Sequence, residues 1–200
     1  MANELSRRHV LGLGVAGGVA IFLPRAAWAL DVDQARGLID DVVGEINRVI
    51  NSGGSEAAML PQFEALFARY ADVPVIARSV LGPAGRQASP AQISGFTTAF
   101  QGYISRKYGR RFREFIGGRI EVADARAVKS YYEVITTAFL RGESPFEVRF
   151  QVSDKSGRLL FFNIIIEGVN MLLSERTEIQ AMLDQRGGDI DRLIADLPQV

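Results

Sequence analysis

The hydrophobic period of this chain changes once, and that change restricts the fold more than any other feature. Before Gly117-Gly118 the apolar residues recur every three or four positions, and after it they recur every second position. The first spacing gives a helix with one buried face, and the second gives a strand with one buried and one wet face. A chain that is helical first and alternating second predicts an α+β fold, with helices packed on one face of a curved, mainly antiparallel sheet of about four strands.

The helical half divides at its turn residues. From Asp33 to Asn51 the side chains Leu38, Ile39, Val42, Val43, Ile46, Val49 and Ile50 form one stripe, and Gly53-Gly54 stops it. A second helix runs from about Ser55 to Tyr70, with Pro61 marking a break or a new first turn inside it. A short third, Asp72 to Leu81, is capped by Asp72 and ended by Gly82-Pro83. Ser89-Pro90-Ala91-Gln92 is a capping box that opens a long helix carrying Ile93, Phe96, Phe100, Ile104, Phe112 and Phe115.

In the alternating half, Phe146, Val148, Phe150 and Val152 interleave with Glu147, Arg149, Gln151 and Ser153. Asp154-Lys155-Ser156-Gly157 turns into a strand from Leu159 to about Leu172, Tyr131 to Leu140 is another, and Ile120 to Val128 is an edge strand. Ser174 is expected to cap a helix to about Arg186, and Asp189 a last short one before Pro198.

Ahead of this domain stands an export signal. Arg7 and Arg8 precede an apolar run, Val10 to Leu23, which leads to Ala27-Trp28-Ala29. That is the order of a secretory signal peptide, residues 1–29, cut before Leu30, and the run is shorter than the ~18 residues a membrane span needs. The arginine pair in SRRHVLG, the glycines at 12, 14, 17 and 18, and Arg25 favour the twin-arginine route over the general secretory one. Residues 30–200 then form a single periplasmic domain.

Cleavage also removes chemistry. His9 and Trp28 are the only residues of their kinds and the chain has no cysteine, so the mature protein lacks His, Trp and Cys. Triads based on His or Cys, thiolate zinc sites and His-ligated metals are thereby excluded, and no disulfide can hold the fold. The mature chain has 20 basic and 22 acidic residues, which does not suit a nucleic-acid binder.

DVPVIARSVLG, the serine-capped helix with Phe96, Phe100, Tyr103 and Tyr108, and NIIIEGVNMLLSERTEIQAMLDQRGGDIDRLIADL together resemble the MlaC family, also called the toluene-tolerance family. Glu167-Gly168-Val169-Asn170-Met171 is the most specific stretch, although the family commonly has serine at Asn170. The resemblance implies a carrier, not an enzyme and without a cofactor, whose cargo is phospholipid. It further implies shuttling between an outer-membrane lipoprotein complex and the substrate-binding ring of an inner-membrane ABC transporter. A hopanoid or another lipid is an alternative cargo, and a periplasmic adaptor that binds no lipid is an alternative function.

A lipid carrier needs an apolar cavity. Burying a methylene is worth about 0.8 kcal/mol, so a two-tailed lipid with roughly thirty of them gains on the order of 20 kcal/mol by leaving water. The inward strand positions Val134, Thr136, Ala138, Val148, Phe150, Val152, Phe162, Ile164 and Ile166 are the candidate lipid-binding residues. Ile76, Val80, Phe96, Phe100 and Ile104 face them from the helices. By periodicity alone the same side chains could equally fill a solid core.

Two other groups remain open. Arg106, Lys107, Arg110, Arg111 and Arg113 form a basic cluster that is either a solvated helix face or a docking patch for anionic headgroups or an acidic partner. Asp124, Tyr131 and Tyr132 are the only candidates for an isomerase of the steroid type, which needs a cavity Asp beside an oxyanion donor.

Overall fold

The computed structural model describes residues 31–109 and 114–200. The expected signal peptide and Arg110, Arg111, Phe112 and Arg113 lie outside the described residues.

Asp31 starts α1 (Val32–Ile50) with a capping box, accepting from the Gln34 N–H at 2.7 Å. Of the stripe read from the sequence, Ile39, Val42, Val43, Val49 and Ile50 are buried and Leu38 and Ile46 half-buried, and Ala35 is buried beside them. Helix α2 (Glu56–Tyr70) follows a Ser55 cap and runs unbroken through Pro61, contrary to the expected break. Pro61 lies close enough to the helix start that only one early backbone bond is forgone.

Asp72 caps α3, Val73–Gln87, which is two helical stretches that meet at the stop expected at Gly82-Pro83. The chain kinks there: Gly82 has φ 54° and ψ −126°, a conformation that side chains with a Cβ avoid. Just before the kink, Gln180 donates to the carbonyls of Val80 and Leu81 at 3.1 and 2.8 Å. The capping box at Ser89 and Gln92 forms as expected and opens α4 (Pro90–Gly109).

The strands β1 (Arg119–Val128), β2 (Tyr131–Phe139), β3 (Phe146–Ser153), β4 (Leu160–Ile166) and β5 (Val169–Asn170) pair antiparallel in sequence order. Five strands replace the four expected, because the segment Leu159–Leu172 turns inside itself. Glu167 and Gly168, at φ 49° and 82°, make a two-residue hairpin of the type that matches strand twist. Helix α5 (Met171–Asp184) therefore starts earlier than expected. Its cap is Asn170, not Ser174, with the Leu173 N–H donating to Asn170 Oδ1 at 3.0 Å. Asp189 caps α6 (Ile190–Asp196), and a 3-10 turn, Leu197–Gln199, ends the chain.

The helices cover one face of the sheet: α1 lies along β1 and β2, and α3 and α5 lie on β4. Asn47 of α1 completes the start of the edge strand by donating to the Ile120 carbonyl at 2.8 Å and accepting its N–H at 2.9 Å. One continuous apolar core fills the space between helices and sheet, and a smaller one lies between α1 and α2 around Ile50 and Phe63. No described helix is long and apolar enough to cross a membrane.

Candidate functional site

Alternation along the strands decides which side chains meet the helices. Val134 faces Phe150, Thr136 faces Val148, and Phe150 faces Ile164 across the ladders, so their side chains share the covered face. Ile76, Val80, Phe96 and Phe100 come down onto them from α3 and α4 in the same core, with Ile104, Ile164 and Ile166 packed at its margin. Phe96 stacks on Phe100 at 5.6 Å between ring centroids, and Phe100 meets Tyr103 at 6.2 Å.

All but one of the expected lining residues are thus brought together. The exception is Phe162. A bulge opposite Gln151 and Val152 places one extra residue in β4, so Val152 pairs with Phe161 while Gln151 pairs with Asn163. Phe161 takes the inward place, edge-on to Phe150 at 5.6 Å, and Phe162 stands on the uncovered face against Tyr131. Sequence reasoning also missed Ile39, Val42, Ile179 and Leu183 as parts of the same interior, although the α1 stripe already contained the first two.

The interior is closed. Val80, Phe96, Phe100, Val134, Thr136, Ala138 and Val152 have no accessible surface. Thr136 is the one polar residue among the expected lining side chains, and its hydroxyl donates to the Val148 carbonyl at 2.8 Å, leaving a methyl to the core. A surface groove of about 440 Å³ lies elsewhere, between α3 and α4, lined by Pro74, Arg78, Pro90 and Ile93.

At the C-terminal end of α4 the core gives way to a polar cluster. Lys107 Nζ lies 2.8 Å from Glu175 Oε1 and also bonds Glu178. The Tyr103 hydroxyl donates to Glu178 Oε1 at 2.7 Å, and the Tyr108 hydroxyl donates to Glu175. Lys107 sits 5.4 Å from the centroids of both tyrosine rings. Burial works against charge on Lys107, but the bonds to Glu175 and Glu178 outweigh it and hold its pKa above the usual lysine range. Burial likewise works against ionised Glu178, and its bonds from Lys107 and Tyr103 lower it all the same. Both tyrosines are pushed up, first by burial and then by the carboxylates they donate to, so they stay protonated.

The basic cluster is therefore divided. Lys107 is folded onto α5, Arg106 donates to the Leu197 carbonyl at 2.7 Å, and the remaining arginines lie outside the described residues. No signal along the sequence marks Glu175 and Glu178 as its partners, since the contacts join positions about seventy residues apart.

The uncovered face of the sheet carries a polar cluster around Glu133. Glu133, 5% exposed, receives Arg126 at 2.6 Å and Gln151 at 3.2 Å. Burial raises its carboxyl, but these bonds and the nearby Arg149 bring it below the ordinary range. Asp124 is exposed on this face and accepts from the Ala125 N–H at 2.8 Å, while Tyr132 pairs with Val152 and faces the core. Asp124 and Tyr132 therefore point to opposite sides of the sheet, and Tyr131, on the uncovered face against Phe162, meets Asp124 in no cavity because Asp124 is exposed, so the isomerase constellation does not assemble.

The same fold is found in a known structure. A structure of the phospholipid-binding protein from Ralstonia solanacearum, in complex with a phospholipid, superposes with a TM-score of 0.68. At 19% identity it covers 82% of this chain and 95% of its own, a likeness that establishes the fold. The family model described as MlaC protein matches residues 38–199, which takes in every strand and all but the first turns of α1, and the chain belongs to the MlaC family.

Proposed function

We propose that this protein is a periplasmic lipid carrier that holds the acyl chains of a phospholipid between its sheet and its helices. The observation that carries the reading is the composition of the interior. Side chains from α1, α3, α4, α5 and four strands converge on one apolar core, and the expected lining residues place no ionisable group in it. Membership of the MlaC family supports the reading, as does a phospholipid complex of the same fold. On this reading residues 1–29 are a signal peptide of the twin-arginine type. The protein then shuttles lipid between an outer-membrane lipoprotein complex and an inner-membrane ABC transporter, with no chemical step of its own.

The closed interior sets the energetics of such a carrier. An empty rigid cavity would expose apolar surface or leave unfilled voids, both costly. Side chains that close on one another when empty, and part around acyl chains, recover most of that cost in either state. Loading from a bilayer and release to a bilayer then stay near balance, as a shuttle requires.

The same closure is the observation favouring the second reading, a periplasmic adaptor with a solid core. Native mass spectrometry of the purified protein, with an organic extract analysed in parallel, separates the two. A carrier shows discrete adducts of lipid mass that transfer to acceptor vesicles. Recovery of apoprotein only, both as purified and after incubation with phospholipid vesicles, leaves the adaptor.

A further inference from the structure

The seam between α4 and α5 differs from the other helix contacts. Helix α4 packs against α2, α3 and α6, and α5 packs against α3 and β4. Where α4 and α5 face each other they are joined by long polar side chains: Lys107 to Glu175 and Glu178, Tyr103 to Glu178, and Tyr108 to Glu175. Directly inside this layer lies the apolar core, since the Tyr103 ring is in it, against Phe100, and Ile179 on the next turn of α5 is fully buried there.

A second observation points to the same pair of helices. Helix α3, which packs on both, kinks at Gly82-Pro83. Val80 and Leu81, before it, are held by Gln180 of α5, and the chain after it runs through Gln87 to the Ser89 cap of α4. Rotation at a break that already lies outside helical geometry parts the two helices without breaking a regular helix.

We propose that α4 and α5 form a lateral gate to the apolar interior, hinged at Gly82-Pro83 and held shut by a latch of Tyr103, Lys107, Tyr108, Glu175 and Glu178. The latch rests on the carrier reading and supplies its opening step. Polar contacts suit this role better than apolar ones. Water replaces each bond of the latch as the seam opens, whereas parted apolar surfaces stay exposed until lipid arrives. Glu175, 5% exposed, gains most from opening, because its second carboxylate oxygen finds no partner among the described residues.

The chain has no cysteine, so a pair of spin labels can be placed at will. Thr98→Cys on α4 and Thr177→Cys on α5, both exposed, report the width of the seam by pulsed electron resonance. Lys107→Glu and Glu178→Lys are each expected to broaden the distance distribution toward longer values in lipid-free protein. They also speed release of a preloaded fluorescent phospholipid to acceptor vesicles by tenfold or more. The combined exchange, Lys107→Glu with Glu178→Lys, restores both. Arg126→Met on the opposite face is the control for general loss of stability, and it leaves seam and release unchanged. Unchanged distances and rates in the single variants overturn the gate, as does equal acceleration by Arg126→Met. A seam that opens in the single variants of a parent that never takes up lipid overturns the carrier reading instead.

Discussion

Asn163 shows how much one side chain can organise, and how little of it is visible in a linear pattern. Buried at 5% exposure on the uncovered face, it donates to Gln151 and Asn170 at 3.0 Å each and accepts from the N–H groups of Ile164 and Leu172. All four of its hydrogen-bonding positions are used, which ties β3, β4 and the start of α5 at one point. Asn170 is the half-buried partner, and its Oδ1 is at once the cap of α5 and the acceptor for Asn163. Asn170→Ala is therefore expected to lower stability by about 1–2 kcal/mol, a cap plus a freed buried donor. Asn170→Ser keeps an acceptor at the cap and should lose less, both read from urea midpoints at constant slope. The Glu167-to-Met171 stretch was recognisable in the sequence, but its mechanics were not. A hairpin with a non-glycine residue at positive φ leaves no strong signal inside an apolar run, so Ser174 was the more obvious cap. The misplacement of Phe162 has a related origin, because a one-residue bulge reverses the face of every position beyond it and the alternation read from sequence carries straight through.

Among the elements, those whose pattern is local were legible and those fixed by distant partners were not. The stripe of α1, the capping box of α4 and the alternation of β3 depend on residues within a few positions of one another. Gly82-Pro83 was legible as a stop because both residues oppose a helix, but its partner was not: Gln180 of α5, about a hundred residues on, donates to the Val80 and Leu81 carbonyls at the kink. The α4–α5 contact has the same character and makes its own pH dependence. Glu178 titrates below its ordinary value near 4.5 in the fold, so the unfolded chain binds its proton first as pH falls. Its contribution is fully present above that ordinary value and is lost as pH falls through the lower, folded one. Glu133 acts with the same sign from the other face. Stability should fall on acidification below about pH 4.5. In Lys107→Met the acid fall should become shallower, since Glu178 loses its main support, while the Glu133 part persists. Urea midpoints from pH 7 to pH 3 for parent and variant check this, and identical slopes would mean that Lys107 and Glu178 are not coupled.

For the whole molecule, the question left by an apolar interior is whether it trades its own packing for that of a ligand. Phe150 is the position to ask it, 3% exposed, opposite Val134 and Ile164, and edge-on to Phe161. In lipid-free protein Phe150→Ala removes a core ring from a closed interior, at a cost of about 3–5 kcal/mol. An acyl chain that occupies the same space fills the void the substitution leaves, so the loaded variant should recover a large part of that loss. The stabilisation produced by lipid, measured as the difference in melting temperature between loaded and delipidated samples, is therefore expected to be larger in Phe150→Ala than in the parent. Val134→Trp reverses the argument. A large ring added at a position with no accessible surface overpacks the empty core, by about 1–3 kcal/mol, and also takes the place of the chain. Lipid should then stabilise less than in the parent. An adaptor with a solid core predicts losses in both variants and no dependence on lipid in either. Opposite changes in the lipid increment distinguish a cavity wall from a core even though the empty structure packs both alike.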